Sequence, residues 1–233
     1  GRVDTEAGKV IHYGRIRGMT DFSIQAPVEE AFGVPVHVHN NASVIALSEY
    51  RYGVARETET LLTVLIRSGV GGAFINHGRI FVTQHRTTME IGHMSVDLQG
   101  RRCECGGTGC LETYLSEDAI LRDCADRGLP GELDAVDRGI EAGDEKTLQL
   151  LREKSAVLAE GLRSLFQLFG PDSFLLVTRS RRLSEFLAQE TTAALSCSAD
   201  AGDGSASRIL SAPYDPIMAG KGAADLVLDH FFA

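Results

Sequence analysis

The sequence lacks an apolar run of bilayer length, a basic N-terminal region followed by an apolar stretch, and a surplus of basic charge. The first two absences argue against membrane insertion and secretion, so we expect a cytoplasmic protein. The net charge of -9 argues against a nucleic-acid-binding surface on this chain, because phosphate contact needs clustered Lys and Arg. Any DNA-binding part is therefore expected in another segment of the protein.

Cysteine is also sparse, with five residues, three of which lie within eight positions. An odd, clustered set favours a metal site in a reducing compartment over a disulfide framework. Cys103, Cys105 and Cys110 offer three thiolates, and His93 adds the fourth ligand of the Cys3His set that is typical of structural zinc. Such a closed site leaves no position for water, so the sequence predicts a structural zinc. Reduced cysteines in a flexible loop are the alternative.

Two glutamates flank this cluster. Glu90 lies three residues before His93, and Glu112 lies two residues after Cys110, so an ion that fixes the ligands also brings the two carboxylates together. Carboxylates accept hydrogen bonds from the hydroxyls of a polyol, and a metal-bound histidine can donate through its other nitrogen. This arrangement predicts a sugar pocket beside the metal, although solvated surface glutamates explain the spacing equally well.

Strands alternate with helices along the chain, which predicts a layered α/β fold. The continuous apolar run at 61–66 predicts a buried strand, and the alternating stretch VPVHVHN at 34–40 predicts another. Apolar residues at steps of three and four from Leu148 to Phe169 predict one long amphipathic helix. The small polar residues at 196–207 predict a loop.

The stretch EIGHMSVDLQGRRCECGGTGCLETYLS at 90–116 closely resembles the signature of the ROK family, which comprises bacterial sugar kinases and sugar-responsive transcriptional repressors. GVPVHVHNNASVIALSEYRYG, SGVGGAFINHGRI and MAGKGAADLVLDHFF resemble further family segments in the same order. The resemblance covers essentially the whole chain. It implies an α/β fold of the actin-like ATPase or ribonuclease-H-like type, mainly the C-terminal domain with a structural zinc loop.

The same resemblance implies a domain division and a set of site residues. Residues 1–41 would end the first actin-like lobe, residues 42–215 would form the second lobe with the zinc loop at 93–110, and residues 216–233 would be a C-terminal helix returning to the first lobe. The implied zinc ligands are His93, Cys103, Cys105 and Cys110. The implied sugar-binding residues are Asn40, Asn41, Glu90, His93 and Glu112.

Three departures from the family pattern concern catalysis. Asn41 stands where the kinases have the aspartate that serves as general base. A carboxamide cannot accept the proton of the attacking sugar hydroxyl. Losing such a base lowers the rate of catalysis by a factor of about 10²–10⁴. Arg67-Ser68-Gly69 replaces a Gly-Thr-Gly segment of the nucleotide site, and Thr178-Arg179-Ser180 replaces a Gly-Gly pair. We therefore expect no catalytic residue and no enzymatic activity. An attractive role for Arg67 toward a ligand stays open.

These features predict the sugar-sensing, effector-binding region of a ROK transcriptional regulator, which binds a hexose or amino sugar without phosphorylating it. Operator DNA would be bound by an N-terminal helix-turn-helix that this chain does not contain, and a homodimer or homotetramer is expected. The alternative is an ATP-dependent sugar kinase that resembles a glucokinase or N-acetylhexosamine kinase. A third possibility is a scaffold that binds no sugar.

Overall fold

The structure is a computed structural model that describes residues 1–13, 16–83, 87, 89–196 and 207–232. It contains a small antiparallel sheet of three strands and a larger mixed sheet of five strands. The strands of the small sheet are β1 (Arg2–Asp4), β2 (Lys9–His12) and β3 (Thr20–Ser23). Those of the larger sheet are β4 (Thr60–Ile66), β5 (Val70–Asn76), β6 (Arg79–Ile80), β7 (Ser173–Thr178) and β8 (Arg208–Pro213).

The larger sheet has the strand order β6-β5-β4-β7-β8. β4 pairs antiparallel with β5 and parallel with β7, and β7 pairs parallel with β8. The hairpin between β5 and β6 turns at His77 and Gly78, whose φ angles of 46° and 79° are both in the left-handed region that a tight two-residue turn requires.

The helices are assigned as follows: α1 (Gln25–Phe32), α2 (Asn41–Tyr52), α3 (Glu112–Leu115), α4 (Glu117–Asp126), α5 (Leu133–Ala142), α6 (Glu145–Phe169), α7 (Arg181–Ser196) and α8 (Pro216–Phe232). The long helix predicted from the Leu pattern is α6, and it begins where the Asp144 side chain accepts a hydrogen bond from the Thr147 amide. It ends at Gly170, which is left-handed. None of the described helices is both long and apolar enough to cross a bilayer.

The larger sheet separates two hydrophobic cores. On β4, Leu62, Val64 and Ile66 pack into the core that contains α4, α6 and α7, while Leu61 and Leu65 pack into the core that contains α2. All five side chains are almost fully buried, which is why the strand reads as a continuous apolar run. The predicted α/β layering is confirmed, with helices on both faces of the sheet.

One strand prediction is wrong, and one strand was not predicted. The alternating stretch at 34–40 has no regular structure, because none of the described strands pairs with it, and alternation alone supplies no ladder partner. β8, by contrast, was not predicted, because only Ile209, Leu210 and Ala212 carry its apolar character and it lies at an edge of the sheet. Most of the predicted polar loop at 196–207 lies outside the described residues.

Helix α8 packs on α2 through a glycine. A Cβ atom on Gly222 would lie 1.8 Å from the carbonyl oxygen of Val44, far inside van der Waals contact. We expect Gly222→Ala to push the two helices apart and to lower the free energy of unfolding by about 2–3 kcal/mol, measured by urea denaturation.

Gly220 provides the matched control on the same helix. A Cβ atom there would meet no heavy atom within 4 Å. Gly220→Ala should raise the free energy of unfolding by about 0.5–1 kcal/mol, because alanine is the better helix former. Equal effects of the two substitutions would show that helix propensity, and not the contact with Val44, decides the outcome.

Candidate functional site

The four predicted metal ligands lie together. One ligand atom from each of His93, Cys103, Cys105 and Cys110 is within 4.8 Å of the other three. The Sγ of Cys103 lies 3.6 Å from Nδ1 of His93, and the Sγ atoms of Cys105 and Cys110 are also 3.6 Å apart. A tetrahedral zinc ion with ordinary bond lengths gives edges of about 3.6 Å between sulfur and nitrogen and about 3.8 Å between two sulfurs. The donor set and these two distances therefore fit a tetrahedral zinc.

Backbone turns shape the ligand loop before any metal is considered. The Cys103 amide donates to the Gly107 carbonyl at 3.0 Å, and the Gly106 amide donates back to the Cys103 carbonyl at 3.0 Å. Gly109 has a φ of 70°, and a Cβ atom there would lie 1.7 Å from the carbonyl oxygen of Asp97. Only glycine fits at this position, so the loop is folded tightly enough to bring Cys110 back beside the other ligands.

Two of the three thiols, Cys103 and Cys110, are held in the protonated form, whereas a hydrogen bond from the Gly107 amide lowers the pKa of Cys105. Burial, together with the neighbouring thiols of Cys105 and Cys103, raises the pKa of Cys110 to about 12. Burial likewise raises the pKa of Cys103. A divalent cation stabilises thiolates and reverses this effect, so metal binding would release protons from the cluster.

The loop is anchored to two helices by a cluster of charges. The guanidinium of Arg101 donates to the Asp123 carboxylate on α4 at 2.9 Å and to the Thr113 carbonyl at 3.0 Å. Asp123 also forms an ion pair with Lys154 on α6, and both of these side chains are more than nine-tenths buried. Arg101 lies over the ring of Tyr114, with 4.9 Å from Cζ to the ring centroid. The ligand loop is thus fixed to the helical layer.

The five predicted sugar-binding residues line one cavity of about 310 Å³, which lies between the small sheet and the carboxyl end of β4. This volume is at the lower end of the range typical of small-molecule sites. The structure therefore brings together Asn40, Asn41, Glu90, His93 and Glu112.

The two carboxylates differ in how firmly they are held. One oxygen of Glu112 accepts a hydrogen bond from the Val70 amide at 2.9 Å, which leaves its other oxygen for a ligand. Glu90 immediately precedes the 3₁₀ helix Ile91–His93, and burial raises the pKa of its carboxyl. Both side chains are half-buried, so a bound hydroxyl would be partly shielded from competing water.

The adjacent asparagines have different roles. Asn40 is the N-cap of α2: its Oδ1 accepts from the Ala42 amide at 2.8 Å, and its Nδ2 donates to the Gly1 carbonyl at 3.2 Å. Its amide is therefore largely used by the protein. Asn41, the first residue of α2, is exposed toward the cavity and has its amide available. His39 precedes them, and burial lowers the pKa of its imidazole.

His93 connects the metal ligands to the cavity. Its Nδ1 is the nitrogen near Cys103, which leaves Nε2 as the nitrogen for a second partner. His93 also lines the cavity. A metal bound at Nδ1 would fix the proton on Nε2 and make this nitrogen a hydrogen-bond donor.

Several cavity residues were missed by the sequence analysis. Arg2, His12 and Tyr13 come from the small sheet and its edge, and Glu104 comes from the metal-ligand loop. No sequence motif identifies the three residues of the small sheet. They lie at the cavity because the small sheet packs there, and not because they are close in sequence to other site residues. Glu104 stands between two predicted ligands, so its position beside the cavity followed from the ligand spacing.

Paired side chains follow the carboxyl ends of β4, β7 and β8, beside the cavity. The guanidinium of Arg67 lies 4.1 Å from the centroid of the Tyr214 ring, and the backbone carbonyl of Arg67 accepts from the Glu117 amide at 2.7 Å. The buried carboxylate of Glu117 accepts from Nε of Arg179 at 2.8 Å. The segments 67–69 and 178–180 that depart from the family pattern are therefore joined through Glu117.

Two solved structures define the fold class. A ROK family glucokinase from Streptomyces griseus, in complex with glucose and AMPPNP, superposes with a TM-score of 0.82 at 24% identity, over 96% of this chain and 78% of that one. A ROK family transcriptional regulator that is a homologue of Escherichia coli MLC superposes with a TM-score of 0.80 at 22% identity, over 96% of this chain and 59% of that one. The fold is accordingly that of the actin-like ATPases.

The chain belongs to the ROK family, whose family model matches residues 1–229. Among curated relatives, the xylose repressor of Bacillus subtilis is 24% identical over 211 residues, which are 91% of this chain and 55% of that protein. The chain thus spans about half the length of this relative. The family contains repressors and sugar kinases, so membership alone does not decide between the two activities.

Proposed function

We propose that this chain is the sugar-sensing, effector-binding region of a ROK transcriptional regulator and that it binds a hexose or amino sugar without phosphorylating it. The observation that carries the proposal is the combination of a polar cavity with a segment at 178–180 that carries side chains where the family pattern has a Gly-Gly pair. Glu90, Glu112 and His93 line the cavity, whereas the Glu117 carboxylate accepts a hydrogen bond from Arg179 in that segment.

The cavity supplies the groups that recognise a polyol. The carboxylates of Glu90 and Glu112 accept hydrogen bonds from hydroxyls, and the Asn41 amide both donates and accepts. Nε2 of His93 donates once Nδ1 is bound to a metal. We propose zinc as this metal, because three thiolates and one imidazole at tetrahedral spacing suit zinc better than a hard cation. When bound, the ion would hold the loop and orient His93, and it would have no open coordination position.

Phosphoryl transfer lacks support on this chain. Asn41 cannot accept the proton of an attacking hydroxyl, since a carboxamide has no useful basicity. The 178–180 segment carries side chains, with the Arg179 guanidinium held by Glu117 and the Thr178 carbonyl accepting from the Tyr214 amide at 2.7 Å. Glycine at such positions allows close approach of a ligand, and these side chains prevent it.

The proposal also covers the division into lobes, DNA binding and self-association. We propose that residues 1–41 and 216–233 belong to one lobe and residues 42–215 to the other, so that a sugar bound between them favours one relative arrangement. Operator DNA would be bound by a helix-turn-helix outside these residues, and self-association would pair the half-sites. The kinase alternative is favoured by the similarity to the Streptomyces griseus glucokinase, whose structure contains glucose and AMPPNP.

Calorimetry and a phosphorylation assay test the proposal together. A panel of hexoses and N-acetylhexosamines should contain a ligand for the wild-type protein, and Glu90→Gln should weaken its binding by about 10-fold or more because a charged acceptor is lost. Glu30→Gln, which changes an exposed carboxylate on α1, should leave binding unchanged. With ATP and the same sugars, neither the wild-type protein nor Asn41→Asp should transfer phosphate. Absence of any sugar ligand, or efficient transfer by the wild-type protein, would refute the proposal, whereas transfer by Asn41→Asp alone would show that the missing base, and not the 178–180 segment, prevents catalysis.

A further inference from the structure

Two thiols of the metal-ligand loop lie next to each other and differ in exposure. The Sγ atoms of Cys105 and Cys110 are 3.6 Å apart. Cys105 is exposed and lines the cavity, whereas Cys110 is 2% exposed and its thiol donates to the His93 carbonyl at 3.4 Å. A small oxidant can therefore reach Cys105 directly and would leave it beside a second sulfur. This is the arrangement of a reactive cysteine with a resolving cysteine.

The segment between the two thiols allows them to join. A disulfide bond is about 2.05 Å long, so the two sulfurs would have to approach each other by about 1.5 Å. Three of the four intervening residues are glycines, and two of these, Gly106 and Gly109, have φ angles of 90° and 70°. A Cβ atom on Gly107 would lie 3.3 Å from Sγ of Cys105 and 3.4 Å from Sγ of Cys110, so glycine keeps the space beside both sulfurs open. A small backbone adjustment therefore meets little steric resistance.

The other described cysteines are less suited to this bond. The Sγ of Cys103 lies 3.6 Å from Nδ1 of His93, so its neighbour is the imidazole. One residue separates Cys103 from Cys105, and a disulfide across so short a segment closes a small ring that strains the bond. Cys124 is buried on α4 and lies outside the ligand group. The geometry therefore favours the pairing of Cys105 with Cys110.

We propose that Cys105 is a site of reversible oxidation and that hydrogen peroxide converts Cys105 and Cys110 into a disulfide. The Cys105 thiolate attacks one peroxide oxygen, the O–O bond breaks, and a sulfenic acid and a hydroxide ion form. The Cys110 thiolate then attacks the Cys105 sulfur, so the S–S bond forms, the S–O bond breaks and a second hydroxide ion leaves. The two thiol protons convert both hydroxide ions to water. The two sulfurs thus lose the two electrons that the peroxide gains.

The disulfide would remove two of the four metal ligands. His93 and Cys103 alone would bind zinc far more weakly than the complete Cys3His set, so oxidation should release the ion. Nε2 of His93 would then lack a fixed proton, and the sugar affinity of the cavity should fall. This last consequence rests on the proposed function, whereas the disulfide and the loss of zinc do not.

Peptide mapping of the zinc-loaded wild-type protein tests the proposal. The protein is treated with hydrogen peroxide, and the remaining thiols are blocked with iodoacetamide. Mass spectrometry should then find a disulfide between Cys105 and Cys110 and an alkylated Cys103. A chromogenic chelator should detect the release of about one zinc ion per chain. Dithiothreitol with added zinc should restore both the thiols and the bound metal.

Two matched variants identify the reactive thiol without depending on the metal. Cys103→Ser and Cys105→Ser each remove one ligand, so both weaken zinc binding. Under peroxide, Cys103→Ser should still form the disulfide between Cys105 and Cys110, whereas Cys105→Ser should form none. Cys124→Ala and Cys197→Ser, which change cysteines outside the cluster at 103–110, should behave like the wild type. Thermal melting of each variant verifies that it is folded.

The outcomes separate this proposal from the proposed function. A wild-type disulfide that includes Cys103, a sulfinic acid at Cys105 without any disulfide, or thiols that stay reduced would overturn the proposal. So would a disulfide that forms in Cys105→Ser as fast as in Cys103→Ser. When calorimetry identifies a sugar for the reduced protein, the oxidised protein should bind it about 10-fold or more weakly. If the disulfide forms in a protein that binds no sugar in either state, the oxidation site stands and the proposed function fails.

Discussion

Replacing Cys103 by serine is expected to yield a protein that binds zinc about 100-fold or more weakly and that loses most of its sugar affinity. The Cys103 Sγ lies 3.6 Å from Nδ1 of His93, so the substitution removes the ligand that faces the histidine. Without the metal, neither the ring orientation nor the proton position of His93 is fixed. Zinc content measured by elemental analysis and sugar affinity measured by calorimetry should therefore fall together.

Cys124 gives the matched control for this substitution. It is a buried thiol on α4 that is not part of the four-ligand group. Cys124→Ala removes a sulfur from the core and should cost about 1–2 kcal/mol of stability, while zinc stays at one ion per chain. If Cys103→Ser retains stoichiometric zinc, or loses zinc and still binds sugar as the wild type does, the proposed link through His93 is wrong.

The metal ligands were predictable from the sequence because their geometry is local. Three of the four ligands lie within eight residues of one another, and the turns that fold them together are set by glycines that the sequence displays. The convergence of Glu90 and Glu112 followed from the same ligands, since each glutamate is tied to one ligand by two or three residues of chain. Their presence in one cavity agrees with that expectation, and their binding of sugar stays a prediction.

The opposite wall of the cavity was not predictable in the same way. Arg67 could be identified as unusual, but its stacking on Tyr214 joins the end of β4 to the end of β8 across the sheet. Such a contact depends on the pairing of β4 with β7 and of β7 with β8, which no local pattern reveals. The placement of Tyr13 in the cavity has the same origin, because it depends on the small sheet.

The fold shows where periodicity suffices and where it does not. The spacing of apolar residues identified α6, because a helix of 25 residues repeats its pattern many times. The alternation of apolar residues over 34–40 predicted a strand, but none of the described strands pairs with this segment. An extended segment becomes a β-strand only when it has a partner strand. β8 has such a partner in β7 and forms a strand with a weaker pattern. For both segments, the presence of a partner strand, and not the alternation of apolar residues, determined whether a strand formed.

Asp123→Ala is expected to lower the free energy of unfolding by about 3–5 kcal/mol, measured by urea denaturation at neutral pH. The substitution would leave the ammonium of Lys154, which is 5% exposed, without its carboxylate in the interior. It would also release Arg101 from α4 and so loosen the metal-ligand loop. A fall in zinc affinity of about 10-fold should accompany the loss of stability, because Arg101 holds the loop from outside the ligand set.

The double variant Asp123→Ala with Lys154→Met distinguishes two effects of losing Asp123. One is the cost of an unpaired buried ammonium, and the other is the release of Arg101 from α4. Removing the ammonium as well should restore most of the stability, since an apolar replacement for a buried ion pair is often well tolerated. Zinc affinity should stay reduced, because Arg101 still lacks its partner. Full recovery of both properties, or a loss of less than about 1 kcal/mol in the single variant, would contradict the assignment of Asp123 as the anchor of the loop.

The pH dependence of stability provides an independent measure of the same anchor. Burial by itself would raise the pKa of Asp123, but hydrogen bonds from Lys154 and Arg101 outweigh it and hold the pKa below the ordinary value of 3.8. A carboxyl with a lowered folded-state pKa stabilises the protein fully above its unfolded value, and this contribution is lost as the pH falls through the folded pKa. The part of the stability difference between the wild type and Asp123→Ala that comes from the carboxylate should therefore shrink as the pH falls below about 4. A difference that persists unchanged into that acid range would mean that the carboxylate acts through packing and not through its charge.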